Sequence, residues 1–211
     1  MRAPAALSAL VDRAAALLSS PGRVVLGITG APGAGKSTLA EALVAGLRAD
    51  LGPDDVGHLP MDGFHLADVQ LDRLGLRDRK GAPETFDIDG YVAILSRLHD
   101  EPGHTVYAPG FERDLEQPIA AAIAVPASAR LVVTEGNYLL LPDRGWERVR
   151  PLLTEAWFVD VDDDVRRERL VRRHEQFGKS PEGARAWVDR VDEPNAELVR
   201  ATRERADLVI E

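Results

Sequence analysis

Gly30-Ala31-Pro32-Gly33-Ala34-Gly35-Lys36-Ser37 is the stretch that decides the fold of this chain. It follows an apolar run at residues 24–28 and precedes an Ala- and Leu-rich pattern with helical spacing at residues 38–51. This order of strand, GxxxxGK[ST] motif and helix predicts a P-loop, in which backbone N–H groups and the start of the helix bind a phosphate chain. A Gly-rich turn between a strand and a helix is the plainer alternative.

The residues of this motif have separate roles in binding a nucleoside triphosphate. Lys36 supplies a point charge that can reach the β- and γ-phosphates, and the Ser37 hydroxyl can ligate Mg²⁺. ATP and Mg²⁺ are therefore the expected cofactors. The expected ATP-binding residues are Gly30, Gly33, Ala34, Gly35, Lys36, Ser37 and Thr38.

Composition and charge narrow the class of protein. A chain of 211 residues with 45% hydrophobic and 29% charged residues is typical of a single globular domain, expected here to span residues 1–211. The net charge of −9 argues against a nucleic-acid or membrane surface, and no apolar run approaches the ~18 residues of a spanning helix. Cysteine is absent, which excludes disulfides. Asp12 and Arg13 interrupt the first apolar residues, so we do not expect a secretory leader. We expect a cytoplasmic location instead.

Strand and helix patterns alternate along the chain. This alternation predicts an α/β fold in which a parallel sheet is covered by helices on both faces. Residues 104–107 are expected to form an edge strand, residues 112–128 are ambiguous, and a helix is expected at residues 146–153. Asp89 is expected to cap a helix that ends at residue 98. The five sheet strands are expected at residues 24–28, 56–61, 131–135, 156–161 and 206–210.

Asp62 and Glu135 lie at the ends of two expected strands. Parallel sheets bind ligands at the carboxyl ends of their strands, so both side chains are expected near the phosphates. Asp62, which Gly63 follows in an expected sharp turn, is the candidate base that deprotonates a phosphate acceptor. Glu135 is the candidate carboxylate beside Mg²⁺. Either acid could instead be a helix cap or a loop residue.

Five arginines lie within eight residues, on an expected helix that Asp162-Asp163-Asp164 caps. Arg169 and Arg173 share one face of this helix and are expected to act as catalytic residues that close over the phosphates. They belong to an expected helical lid at roughly residues 166–190. A solvated charged face is the alternative.

Taken in order, these motifs resemble those of the phosphoribulokinase/uridine kinase family of P-loop kinases. Residues 75–87, GLRDRKGAPETFD, are similar to the GL, RKG, PES and YD pattern of bacterial pantothenate kinases. Residues 202–210, TRERADLVI, resemble the TRxRA ending of the same kinases. Over residues 24–210 the chain looks closest to the short branch labelled nucleoside-kinase-like or fructose-transport-associated kinase.

The resemblance implies a five-stranded parallel sheet with the spatial order 2-3-1-4-5. It also implies an enzyme that transfers the ATP γ-phosphate to an alcohol group of a small molecule. It also implies Asp62 as the base, Ser37 and Glu135 at Mg²⁺, and Asp87 as a contact to the acceptor hydroxyl. Residues 107–114 reproduce neither the YSHxxYD segment of pantothenate kinases nor the histidine of uridine kinases. The acceptor therefore stays open between a sugar, a nucleoside and a pantothenate-like compound.

The acceptor is expected beside the segments that follow the second strand and precede the third. The expected substrate-binding residues are Asp62, His65, Arg79, Asp87, Tyr107, Phe111 and Arg113. A packing role is the alternative for His65, and a loop-rich cover over the sheet is the alternative for Arg79 and Tyr107. The expected partner is a small-molecule substrate. Binding to nucleic acid or to a membrane is not expected, and a homodimer is left open.

A regulatory P-loop NTPase without a small-molecule acceptor is the alternative function. A guanine-specific switch should carry an NKxD-type segment, and the sequence contains none. A DNA-associated ATPase should have a basic surface, which a net charge of −9 does not favour.

Overall fold

The computed structural model describes residues 4–211. The strands of this part of the chain are β1 Val24–Gly30, β2 Val56–Pro60, β3 Val106–Glu112, β4 Gln117–Val125, β5 Leu131–Glu135, β6 Glu155–Val159 and β7 Leu208–Ile210. Its helices are α1 Pro4–Ala16, α2 Lys36–Leu51, α3 Asp68–Leu74, α4 Ile88–Asp100, α5 Asp163–Gln176, α6 Pro181–Trp187 and α7 Glu193–Arg200.

Five of these strands form a parallel sheet in the spatial order β2-β5-β1-β6-β7. Counted along the sheet strands alone, this is the order 2-3-1-4-5 that the resemblance implied. Val24 of β1 lies opposite Leu131 of β5, and Leu26 lies opposite Glu155 of β6. This register places the carboxyl ends of the three central strands at one edge, where the P-loop begins.

The core lies on both faces of the sheet. Alternate residues of β1 enter two separate apolar clusters, with Val25 in one and Leu26 and Ile28 in the other, as the period of two in a strand requires. Helix α4 contributes Leu95 to the first cluster, and α2 contributes Leu43 to the second. The expectation of an α/β fold with helices on both faces is therefore confirmed.

A separate two-stranded hairpin is the main difference from the expected fold. β3 and β4 pair antiparallel outside the central sheet, where an edge strand at 104–107 and an ambiguous segment were expected. The strand does not end at Pro109, because the ladder is irregular between Ala108 and Gly110 and an edge strand tolerates the missing N–H there. The alanines in the middle of β4 are poor strand formers, so the local pattern did not identify it.

Two helix expectations are also corrected. Residues 146–153 form two 3₁₀ turns, Trp146–Arg148 and Arg150–Leu152, because Pro151 lacks the N–H that a continuous helix needs. The cap of α4 is Asp87, not Asp89, and its Oδ1 accepts a hydrogen bond of 2.9 Å from the Gly90 N–H.

The C-terminal helical region is broken more finely than its sequence pattern indicated. Asp162 caps α5, as expected, by accepting hydrogen bonds from two backbone N–H groups. Between α6 and α7 the chain forms a π-helical turn, Val188–Asp192. No helix in residues 4–211 is both long enough and apolar enough to cross a membrane.

Candidate active site

The P-loop connects β1 to α2 at the carboxyl edge of the sheet. Gly33 and Gly35 have φ angles of +81° and +93°, in the left-handed region that a side chain disfavours. A Cβ at Gly33 would also lie 2.7 Å from the Arg166 carbonyl oxygen. Helix α2 begins at Lys36, so its first N–H groups, which have no partner within the helix, face the loop. This backbone fits a phosphate chain.

Most of the predicted ATP-binding residues line a small cavity at this loop. The lining includes Gly33, Gly35, Lys36, Ser37 and Thr38. Gly30 and Ala34 are buried behind the loop and shape it without lining the cavity. Their expected role in binding ATP stays a prediction.

Glu135 is the buried acid of the site, with only 4% of its surface exposed. It is the last residue of β5 and lies opposite Pro60 of β2, so the two strands end side by side. Burial raises the pKa of Glu135 to about 7, although the positive charge of Lys36 and a hydrogen bond from the Ser37 hydroxyl oppose the rise. The hydroxyl and the carboxylate that were predicted to hold Mg²⁺ are therefore close neighbours.

Asp62 and Lys36 are linked by charge. Burial acts to raise the pKa of Asp62, but the positive charges of His65, Arg113 and Lys36 outweigh burial and hold it below its ordinary value. For Lys36, burial lowers the pKa of the ammonium group, and the carboxylates of Glu135 and Asp62 oppose that effect. Asp62 is therefore ionised at neutral pH and can accept a hydrogen bond from a hydroxyl.

The residues Ser37 and Glu135 fit a Mg²⁺ ion that also binds phosphate oxygens. Within the described residues, no group of three or more His, Cys, Asp or Glu side chains could hold a metal alone. The remaining ligands would have to come from ATP and water, which is the usual coordination of Mg²⁺ in phosphoryl-transfer sites.

The hairpin reaches the Asp62 carboxylate through Arg113, just after β3. Its guanidinium donates a hydrogen bond of 2.5 Å to Asp62 Oδ2 and lies 4.9 Å from the centre of the Phe111 ring. The imidazole of His65 lies between two rings, 4.0 Å from Phe86 and 5.0 Å from Phe111. Its Nδ1 is 2.9 Å from the Asp62 carbonyl oxygen. Burial lowers the pKa of His65, against the opposing charge of Asp62.

Gly63 is explained by a close approach rather than by an unusual φ. It lies in the 3₁₀ turn Met61–Phe64 that carries Asp62. A Cβ at Gly63 would be 2.1 Å from the carbonyl oxygen of Pro109. The hairpin backbone therefore packs directly on the turn and fixes the position of Asp62.

A cavity of about 560 Å³ opens beside Lys36 and Asp62. The lining residues come mainly from two parts of the chain. The first group, which we call the hairpin wall, comprises Asp62, His65, Arg77, Asp78, Lys80, Phe86, Phe111, Arg113 and Glu116. The second group, which we call the helical wall, comes from the region of α5–α7 and comprises Arg173, His174, Phe177, Lys179, Trp187, Asp192 and Asn195. A volume of this size is typical of small-molecule sites.

Four of the predicted substrate-binding residues line this cavity, namely Asp62, His65, Phe111 and Arg113. Three do not. Arg79 pairs with Glu84 at 2.6 Å, and Tyr107 is 59% exposed because its neighbours in β3 point to the core. Asp87 is exposed and occupied as the cap of α4, while Phe86 takes the place on the cavity. Asp87 is thus absent from this lining, and its contact to the acceptor stays a prediction.

Arg169 and Arg173 both line the P-loop cavity, which is where charge-stabilising groups would have to lie. Arg166, on the same face of α5, has another role and is only 1% exposed. It donates hydrogen bonds to the Pro32 carbonyl at 3.3 Å and to Glu193 at 2.5 Å. Arg166 thus ties the P-loop to α5 and α7, and the catalytic role of the two exposed arginines stays a prediction.

Sequence reasoning missed most of the helical wall and Asn137. The buried Oδ1 of Asn137 lines the cavity region after β5 and has no hydrogen-bond partner in the described part of the chain. Lys80 could have been identified from the sequence, because it belongs to the RKG motif at residues 79–81. No local signal marks Trp187 or Asn195, which lie on either side of the π-helical turn between α6 and α7.

Comparisons with known proteins agree with this arrangement. Residues 25–211 match the model of the Phosphoribulokinase / Uridine kinase family. A Schizosaccharomyces pombe protein named "Putative uridine kinase C227.14" is 33% identical over 208 residues, which cover 96% of this chain and 88% of that protein. The Escherichia coli "Uncharacterized protein YggC" is 34% identical over 189 residues, covering 90% of this chain and 78% of the relative.

A solved structure shows the same similarity over nearly the whole chain. The crystal structure of a "putative fructose transport system kinase" from Silicibacter sp. TM1040 is 36% identical, with a TM-score of 0.88 over 97% of this chain and 98% of that one. The family model covers the P-loop, both carboxylates and the arginine-rich helix. This chain therefore belongs to the phosphoribulokinase/uridine kinase family of P-loop kinases.

Proposed function

We propose that this chain transfers the γ-phosphate of ATP to an alcohol group of a small polar molecule. The observation that carries the proposal is that Asp62 and Lys36 line the same cavity of about 560 Å³. A nucleotide on the P-loop and a molecule in this cavity would meet at the Asp62 carboxylate. Phosphoryl transfer to a hydroxyl requires a carboxylate in this place.

Each residue of the site has a defined role in this proposal. Lys36 binds phosphate oxygens, and Ser37 and Glu135 would hold Mg²⁺. Magnesium-bound ATP supplies the electrophilic phosphorus. Arg169 and Arg173 would stabilise the charge that develops on the phosphate oxygens.

Asp62 orients the acceptor hydroxyl and accepts its proton. Its Oδ2 is occupied by the Arg113 guanidinium. Its Oδ1 accepts no hydrogen bond from the residues that the structure describes, so this oxygen is open to a hydroxyl. Arg113 thus holds the carboxylate in one orientation and leaves its other oxygen for the acceptor.

We further propose that the chain acts as one kinase domain, with roughly residues 166–190 as its lid. Phe177 and Trp187 are partly exposed on this region and face the cavity. A cytoplasmic location and a homodimer stay predictions.

The test is the release of ADP in the presence of candidate acceptors. Sugars, nucleosides and pantothenate would be screened, and the phosphorylated product identified by mass. We expect at least one acceptor to raise ADP release well above the acceptor-free rate, and Asp62→Asn to remove the increase. ADP release that no acceptor changes, but that Lys36→Met abolishes, would favour a regulatory NTPase instead.

A further inference from the structure

We propose that the acceptor carries an anionic group, a phosphate monoester or a carboxylate, and that Lys179 and Asn195 of the helical wall bind it. This inference rests on the proposed function, since it concerns the acceptor cavity. It gives the substrate a defined orientation. The reacting hydroxyl lies at Asp62, and the negatively charged group lies at the helical wall.

Lys179 is a cation of the cavity without a counter-ion. Its Nζ lies 4.5 Å from the centre of the Trp187 ring, and no carboxylate in residues 4–211 lies within ion-pair distance of it. The aromatic face holds the ammonium group in place but satisfies none of its three N–H donors. Such a group, half-buried in a cavity lining, is suited to a ligand oxygen with negative charge.

The other cations of the cavity are already engaged. Lys80 binds the Asp68 carboxylate at 2.9 Å, and Arg77 binds the same carboxylate. Arg113 is bound to Asp62. Arg173 also lines the P-loop cavity and is therefore assigned to the ATP phosphates. Lys179 is left for the acceptor.

Asn195 provides a second, independent observation. It is only 6% exposed, it lines the cavity, and its side-chain amide has no hydrogen-bond partner among the described residues. The amide of Asn195 is therefore free to donate an N–H hydrogen bond to a ligand oxygen in the cavity. Both Asn195 and Lys179 are donors, and both lie on the helical wall.

The carboxylates of the cavity do not cancel this charge. Asp192, the one acid among the helical-wall residues, is 2.8 Å from His174 Nε2 and is thus directed to the imidazole. Asp78 and Glu116 belong to the hairpin wall. Asn137, after β5, is a further polar residue of the cavity lining. The cavity thus favours a hydroxylated molecule with its negative charge at the helical wall.

The inference is tested with acceptor pairs that differ only in charge. Suitable pairs are ribose 5-phosphate and ribose, gluconate and sorbitol, and pantothenate and panthenol. We expect kcat/KM to be at least about tenfold higher for the anionic member of a pair, since a charged hydrogen bond contributes roughly 1.5–3 kcal/mol. The phosphate and carboxylate pairs show which anion the wall accepts.

Variants of Lys179 then locate the effect. Lys179→Gln should lower kcat/KM for the anionic acceptor roughly 10–100-fold, mainly through KM, and leave its neutral partner within about twofold. Lys179→Arg should retain the preference. Arg185→Gln is the matched control, because Arg185 is an exposed cation of α6 outside the cavity lining.

Binding without turnover separates this inference from the proposed function. Trp146 and Trp157 are buried, so Trp187 is the tryptophan whose fluorescence should respond to a ligand at Lys179. With the P-loop saturated by a non-hydrolysable ATP analogue, ribose 5-phosphate or gluconate should change the emission with a saturable curve. Lys179→Gln should abolish the change.

The outcomes are distinct. Equal turnover of charged and neutral acceptors, or an equal loss for both in Lys179→Gln, would overturn the inference and leave the kinase proposal standing. Anion binding that needs Lys179, in a protein that phosphorylates no acceptor, would support the anion site and overturn the kinase proposal.

Discussion

At the residue scale, Asp62 combines two properties that its sequence position does not reveal. Its carboxylate is held by Arg113 from the hairpin, and its backbone carbonyl is held by His65. The surrounding positive charges keep its pKa below the ordinary value despite burial. The acid is therefore charged and oriented before any acceptor arrives.

Asp62→Asn should lower kcat by a factor of about 10²–10⁴, the usual contribution of a positioned base, and leave ATP affinity within a few fold. The amide keeps the shape of the side chain but cannot take the proton. Steady-state kinetics and equilibrium ATP binding measure the two effects. Asp72→Asn on the exposed face of α3 is the control. A collapse of ATP binding with residual turnover would instead assign Asp62 to the metal or to the fold.

Lys36→Met should abolish phosphoryl transfer while the protein stays folded. Methionine keeps the apolar stem and removes the charge that binds the phosphates. A coupled ADP assay and a thermal melt measure activity and fold. Turnover close to that of the wild-type protein would contradict the assignment of the P-loop as the ATP site.

At the element scale, the start of α4 shows how a local contact decides the role of an acid. Asp87 is occupied by the Gly90 N–H. Asp87→Ala should therefore lower stability by about 1 kcal/mol, or roughly 2–4 °C in Tm, with KM for the acceptor unchanged. Asp87→Asn should keep the cap and the stability. A raised acceptor KM at an unchanged Tm would restore Asp87 to the acceptor site.

The contact between the β3–β4 hairpin and the turn that carries Asp62 should likewise determine the position of one side chain. In Gly63→Ala the new Cβ would meet the Pro109 carbonyl at 2.1 Å, so one backbone must move. We expect a loss of turnover together with a lower Tm. Gly183→Ala in α6, where only a serine side chain lies near, should be neutral. Normal kinetics for Gly63→Ala would show that the hairpin does not position Asp62.

At the scale of the whole molecule, Glu135 makes stability depend on pH. Its pKa is about 7 in the folded chain, against an ordinary value of 4.5, so the folded state holds the proton more tightly. The free energy of unfolding should therefore fall as the pH rises from about 4.5 to about 7, by at most about 3 kcal/mol. Asp62, with a lowered pKa, acts only at lower pH, where its stabilisation is lost as the pH falls through that pKa.

Glu135→Gln should remove the fall in the free energy of unfolding between about pH 4.5 and pH 7. The variant should match the wild-type protein near pH 4.5 and exceed it in stability near pH 8, in urea titrations without nucleotide or Mg²⁺. Glu147→Gln, an exposed acid, serves as the control. Parallel stability curves for wild type and Glu135→Gln would mean that Glu135 ionises as it does in water.

The sequence by itself determined the parallel sheet, its P-loop and the two acids at its edge. These features depend on short-range patterns: glycines at fixed spacing, apolar runs that alternate with helical repeats, and an acid directly after a strand. A parallel sheet brings the ends of its central strands to one edge. For this reason Lys36, Asp62 and Glu135 could be placed together without coordinates.

Only the tertiary structure decided the walls of the cavity beside Asp62. The alanine-rich β4 becomes a strand through its pairing with β3, and Asp87 caps α4 by accepting a hydrogen bond from the Gly90 N–H. Lys179 and Asn195 line one cavity with Asp62, across more than 110 residues of chain, because the α5–α7 region packs beside the P-loop. Contacts between segments so distant in sequence depend on the packing of whole elements, which leaves no periodic signal in any one of them.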